Sequence, residues 1–93
     1  MFSWDPQKAI INYQKHGVSF EEAATVFSDP EGIDWEDPKH SWLEQRHKRV
    51  GSSSEGRILI VIYTVRSMSN GQEAIRIISA RQTSRKERAA YAG

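Results

Sequence analysis

The sequence predicts an α+β domain: two N-terminal helices, an antiparallel sheet of three to four strands and a short C-terminal helix, with the helices on one face of the sheet and the other face left to carry a site. Three observations predict it. Two capped segments with helical apolar spacing occupy the first third of the chain and a further capping box lies near its end, two long runs rich in β-branched residues occupy 57–65 and 73–81, and Gly-Ser-Ser-Ser-Glu-Gly and Asn-Gly punctuate the strands. The expectation is a single domain over 1–93. A chain of this size buries only about 60–65% of its unfolded surface, so its three Trp, three Tyr and three Phe, or a partner, must complete the core.

Asp5 and Pro6 supply an N-cap and a first helical position, after which Ala9, Ile10 and Tyr13 recur at helical spacing until Gly17. Ser19 and Glu22 form a capping box, and Val18 is placed to staple onto Ala23. Phe20, Ala23, Ala24 and Phe27 make an apolar face that Asp29-Pro30 ends. The acidic stretch 31–40 reads as a loop or a short strand around Ile33 to Trp35, broken by Pro38. Residues 44–50 form a polar, exposed strand with Arg46, Lys48 and Val50 on one side. Residues 57–65 are apolar on both faces, as expected of a central strand. Asn70-Gly71 turns the chain into a last strand, where regular alternation puts Arg76 with Ile78 and Ala80, and Arg81 on the opposite face with Ile75 and Ile77. Ser84 and Glu87 offer a capping box for the final helix, which ends near Tyr91.

Composition removes several classes of function. With no cysteine there is no disulfide, no thiolate nucleophile and no Cys-based zinc site. The longest apolar run is the six residues 58–63, far short of the roughly 20 that span a bilayer, and the N-terminus has no basic, then apolar, leader pattern. A cytoplasmic protein with no membrane contact is therefore expected. The net charge of +1 conceals segregation: residues 1–44 carry nine acids against three lysines, and residues 45–93 carry ten bases, eight of them Arg, against three acids. An Arg-rich half points to a phosphate-bearing polyanion, because the guanidinium forks onto phosphate oxygens and stacks on bases.

Candidate chemistry centres on the histidines and arginines. His16 lies in the last turn of the first helix, where a base also complements the helix dipole. His40 precedes Glu44 by four residues and Arg46 by six, a spacing that would unite a proton carrier, its orienting carboxylate and a phosphate clamp. Arg66, Arg76 and Arg81 sit on or at the ends of apolar strands, so each needs a partner or an open groove; one of the last two is expected to pair with Glu21 or Glu22. Arg85, Lys86 and Arg88 read as a solvated helix face, and Tyr91 as core or as a stacking ring. Asp34, Glu36 and Asp37 read as a solvated acidic loop suited to a basic protein partner, since no metal-ligand spacing accompanies them. No metal and no cofactor are expected.

Taken together, Trp4-Asp5, Asn12, Lys15-His16-Gly17-Val18-Ser19-Phe20-Glu21-Glu22-Ala23, Val26-Phe27 with Asp29, His40, Glu44, Arg46, Gly56-Arg57, Tyr63-Thr64, Arg76-Ile77-Ile78-Ser79-Ala80-Arg81 and Glu87-Arg88 with Tyr91 resemble the BrnT toxins of bacterial type II toxin–antitoxin modules. The resemblance implies a RelE-like ribonuclease fold, RNA cleavage that inhibits translation, and neutralisation by a BrnA-type antitoxin. It further implies a toxin–antitoxin heterotetramer that reaches operator DNA only through the antitoxin. For such cleavage, charge on the phosphoryl oxygens is assigned to Arg46, Arg66, Arg76 and Arg81, and proton transfer to His40 with Glu44; Lys15, His16 and Tyr91 are alternatives. Lys15, His16, Lys48, Arg49, Arg85 and Tyr91 are assigned to RNA binding. The loop 68–72 is longer than is typical of the family. The competing readings are a non-catalytic nucleic-acid-binding module, and a protein whose Arg surface only docks the antitoxin.

Overall fold

The computed structural model describes residues 1–38 and 44–92. The elements are β1 (Phe2–Ser3), α1 (Pro6–His16), α2 (Phe20–Thr25) running into a 3-10 turn (Val26–Ser28), β2 (Ile33–Glu36), β3 (His47–Ser52), β4 (Ile58–Ser67), β5 (Glu73–Gln82) and α3 (Arg85–Ala92). The α+β class and the order of helices and strands agree with the sequence. The sheet is larger than expected: five strands in the order β1-β5-β4-β3-β2, antiparallel except for the parallel β1–β5 pair. At two residues, β1 is too short to show a period-2 pattern, which is why its sequence does not announce it.

Helix ends follow the sequence chemistry. The Asp5 carboxylate accepts from the Gln7 N–H at 2.8 Å, and Gly17 adopts φ 68°, donating its N–H to the Tyr13 carbonyl at 2.8 Å. Ser84 and Glu87 form a complete capping box: the Glu87 N–H donates to Ser84 Oγ at 3.2 Å and the Ser84 N–H to Glu87 Oε1 at 2.8 Å. At α2 only half the box exists. Ser19 Oγ accepts from the Glu22 N–H at 3.0 Å, but the buried Glu22 carboxylate turns away to receive Ser53 Oγ at 2.7 Å and the Arg57 guanidinium. Arg57, which also donates to the Gly17 carbonyl at 3.0 Å, holds the Glu22 carboxyl below its ordinary range. The expected pairing of Glu22 with Arg76 or Arg81 is thereby corrected, because the β3–β4 hairpin brings Arg57 to α2 first.

One face of the sheet is covered. Val18, Phe20, Ala23 and Val26 meet Leu59, Val61, Ile77 and Ala80 in a single core, each large side chain worth about 1.5–3 kcal/mol when fully buried. Phe27 links Phe2 to Tyr63, with ring centroids 5.3 and 4.9 Å away. Gly51 of β3 permits close approach of the 3-10 turn, since a Cβ there would lie 3.1 Å from the Val26 carbonyl oxygen.

Two features of β5 position everything on the other face. Ile62 pairs with Ser79 and Tyr63 with Ile77, so Ile78 has no residue opposite it and the strand is bulged. The slip reverses the alternation beyond it. Arg76 (opposite Thr64) and Arg81 (opposite Ile60) consequently share one face, correcting the expectation that they lie on opposite faces. Beyond Arg76, where β1 no longer pairs with β5, Asn12 acts as a substitute strand: its Nδ2 donates to the carbonyls of Ala80 (2.8 Å) and Val18 (3.0 Å), and its Oδ1 accepts the Ala80 N–H at 3.1 Å. Asn12→Ala is expected to destabilise the protein by about 2–3 kcal/mol in urea unfolding, because it strands the buried amide group of Ala80; Asn12→Asp is expected to destabilise too, having no donor for the two carbonyls.

Candidate nucleic-acid interface and active site

The opposite face, open among the described residues except where Val50, Ile60 and Thr64 are buried, is built in cross-strand rows. Lys48, Ile62 and Ser79 form one row, Val50, Ile60 and Arg81 the next, and Thr64 and Arg76 flank them on the other side. A shallow cleft of about 300 Å³ runs over this face, floored by Ile60, Ile62 and Ile78 and walled by His16, Asp37, Arg46, Lys48, Ser79 and Arg81. His16 reaches it because α1 ends above β5, and Asp37 because its N–H donates to the Arg46 carbonyl at 2.9 Å, which extends the β2–β3 pairing. Asp37 is only 2% exposed, so it is a wall of the cleft and not part of a solvated loop.

Arg81 is gripped from α3. Its Nη1 and Nη2 donate to Glu87 Oε1 and Oε2 at 2.8 and 2.9 Å, the bidentate geometry in which a phosphate could replace the carboxylate. Arg81, and next the Ser84 N–H, hold the Glu87 carboxyl down to about 2 against burial, which opposes them. Arg66 lies further along β4 and meets Glu44 at 3.4 Å in an exposed ion pair.

The structure thus gathers Arg46, Lys48, Arg81 and His16 at one cleft, puts Arg76 on the same face, and sets Arg66 with Glu44 at its margin. Lys15 is exposed beside the cleft in a groove shared with His16, Ile78 and Ser79, and Arg85 is exposed on α3. His40 lies outside the described residues. Two residues expected to bind RNA have intramolecular partners instead of facing the cleft. Arg49 faces the helices, donating to the carbonyls of Val26 (2.9 Å) and Asp29 (2.6 Å) and to Asp34 while covering the Phe27 ring, so it is a structural clamp. The Tyr91 hydroxyl donates to Asp29 Oδ2 at 2.6 Å, and this acceptor pushes its pKa up, so the ring anchors α3. Asp29 itself is held below its ordinary range, first by the Ser52 N–H and then by Tyr91. His47 stacks on Tyr63, also on the helix side. Asp37 was missed as a site residue; the available signal was Pro38, which favours extended backbone in the residue before it. Among the described residues no group of three or more His, Asp or Glu is arranged to hold a metal ion, and no helix is long and apolar enough to cross a membrane.

A helix-backed sheet whose open face concentrates Arg and Lys around a histidine and a carboxylate defines a small anion-handling α+β domain of the kind that acts on nucleic acid. The comparisons give the family: the model described as "Ribonuclease toxin, BrnT, of type II toxin-antitoxin system" matches residues 4–87, and the chain belongs to that family. Among solved structures it is similar to the Brucella abortus ribonuclease toxin BrnT, with a TM-score of 0.60 and 24% identity over 91% of this chain and 99% of that one, a likeness of fold. No curated protein sequence matches. The protein is a ribonuclease toxin of a type II toxin–antitoxin system, and so has an antitoxin partner.

The ion pair at Arg81 gives a pH signature. Because the Glu87 pKa falls from 4.5 to about 2 on folding, its contribution is complete above pH 4.5 and disappears as the pH drops toward 2. Unfolding measured from pH 2 to 6 should show Glu87→Gln less stable than the wild type by about 1 kcal/mol at pH 6, after allowance for solvent screening. The gap is expected to close between pH 4.5 and 2.

Proposed function

We propose that the protein is a metal-independent endoribonuclease whose reaction takes place in the cleft on the open sheet face. The observation that carries this is the β5 bulge, which brings Arg81 onto the face that already holds Arg46, Lys48 and Arg76. A cleft with that much fixed positive charge repels a divalent cation and attracts a phosphodiester. In the reaction a ribose 2′-oxygen bonds to the adjacent phosphorus, the bond from phosphorus to the 5′-oxygen breaks, and a 2′,3′-cyclic phosphate and a 5′-hydroxyl result. The proton lost by the 2′-hydroxyl must be accepted, and one must be delivered to the leaving oxygen.

Arg46 and Arg81 suit the charge that builds on the phosphoryl oxygens, with Lys48 and Arg76 beside them; a guanidinium is too weak an acid to carry protons at neutral pH. Proton transfer falls to His16, the histidine that lines the cleft, with the Asp37 carboxylate in the same wall, or to His40 with Glu44. Arg66, on this account, reaches the strand through the margin of the site. Tyr91 drops out as a base because its hydroxyl is committed to Asp29. Residues 1–93 act as one toxin domain in the cytoplasm, cutting RNA to arrest translation. A BrnA-type antitoxin neutralises it in a heterotetramer that contacts operator DNA through the antitoxin.

Purified total RNA is expected to be cut in EDTA, and Arg46→Ala and Arg81→Ala are each expected to lower kcat by about 10²–10³. His16→Asn should lower kcat by a comparable factor, and a loss of that size in His40→Ala alone would assign the base to His40. Wild-type protein that binds RNA without cutting it, with or without translating ribosomes, would favour the non-catalytic module.

A further inference from the structure

Trp35 is a large aromatic side chain that neither the core nor the cleavage chemistry uses. Its neighbour Asp34 turns to the helix side, where it accepts from Tyr63 Oη at 2.7 Å and from Arg49, so alternation along β2 sends Trp35 to the open face. There it is 42% exposed and directly opposite Lys48, a wall of the cleft. The row across the sheet therefore runs Trp35, Lys48, Ile62, Ser79. With strands about 4.8 Å apart, the indole stands roughly 10 Å from the cleft floor at Ile62, within reach of a nucleotide next to the one being cut. An exposed ring at the rim of a cationic groove is the combination that holds single-stranded nucleic acid, the cations taking phosphates and the ring taking a base.

We propose that Trp35 is a nucleobase-stacking subsite that takes an unpaired base of single-stranded RNA flanking the phosphate bound by Arg46, Lys48 and Arg81. The proposal rests on the ribonuclease reading for which phosphate occupies the cleft; the stacking itself requires only that RNA bind this face. Stacking is indifferent to base identity, so the subsite contributes affinity and register more than sequence preference.

The test uses the full chain and two probes at one salt concentration: a fluorescent 2′-O-methyl oligoribonucleotide, which has no free 2′-hydroxyl to react, and inorganic polyphosphate, which has phosphates and no bases. Trp35→Ala is expected to weaken oligonucleotide binding about tenfold while leaving polyphosphate binding unchanged, and Trp35→Phe to recover most of the loss. Lys48→Ala should weaken both probes. Unchanged oligonucleotide affinity in Trp35→Ala overturns the subsite, as does an equal loss for polyphosphate, which would mark a distorted face. A variant that binds RNA normally but loses the antitoxin would make Trp35 a protein-docking residue and also overturns it. Trp35-dependent binding by a protein that fails to cut total RNA would sustain the subsite while removing the ribonuclease mechanism.

Discussion

The unpaired residue at Ile78 governs the geometry of the site. Without the bulge, Arg81 would point into the apolar layer under α1 and α2, where an ion of its size has no water and no spare carboxylate. With it, Ala80 fills that layer and Arg81 stands beside Ile60 on the open side. The bulge falls where β5 has lost its β1 neighbour, and the Asn12 amide takes up the donor and acceptor of Ala80 there. One asparagine therefore joins three tasks: it anchors α1, completes a sheet edge, and fixes the residue next to the arginine of the cleft.

Charge is distributed by a related economy. Acids from the N-terminal half neutralise particular bases of the C-terminal half, Glu22 with Arg57, Asp34 with Arg49 and Glu44 with Arg66, and two of these three pairs tie the helix side of the molecule together. Among the described residues Lys48 and Arg76 enter no ion pair, and both lie on the open face. The segregated charges are thus neither a simple internal dipole nor a uniformly cationic half. Arg81 is intermediate, held by a carboxylate that sits on a separate short helix. A phosphate bound at Arg81, as the proposed reaction has it, would take the place of a partner already matched in geometry.

The helix starts and stops were legible because capping is local chemistry: Asp5, Gly17, Ser19 and the Ser84–Glu87 pair act within a few residues of themselves. The long strands were legible from their β-branched runs, and the resemblance to BrnT toxins rested on blocks of adjacent residues. Less of the site could be read. Lys48 and Arg49 are neighbours of like charge, and period-2 alternation sends one to the cleft and the other to the Val26 carbonyl, yet which goes where depends on what covers the sheet. Asp37 looked solvated because its sequence neighbours are polar, whereas the pairing of its N–H with Arg46 buries it.

By itself the sequence determined the α+β class, the caps, the central apolar strand, the cationic second half and the family, all of which follow from composition and from residues close together in the chain. Only the tertiary structure decided that Arg76 and Arg81 share a face, that Arg57 rather than either of them takes Glu22, that Tyr91 anchors α3, and that Trp35 stands beside the cleft. Each of these turns on register between strands or on contacts across many residues of sequence, and a one-residue slip in register exchanges the two faces of a sheet.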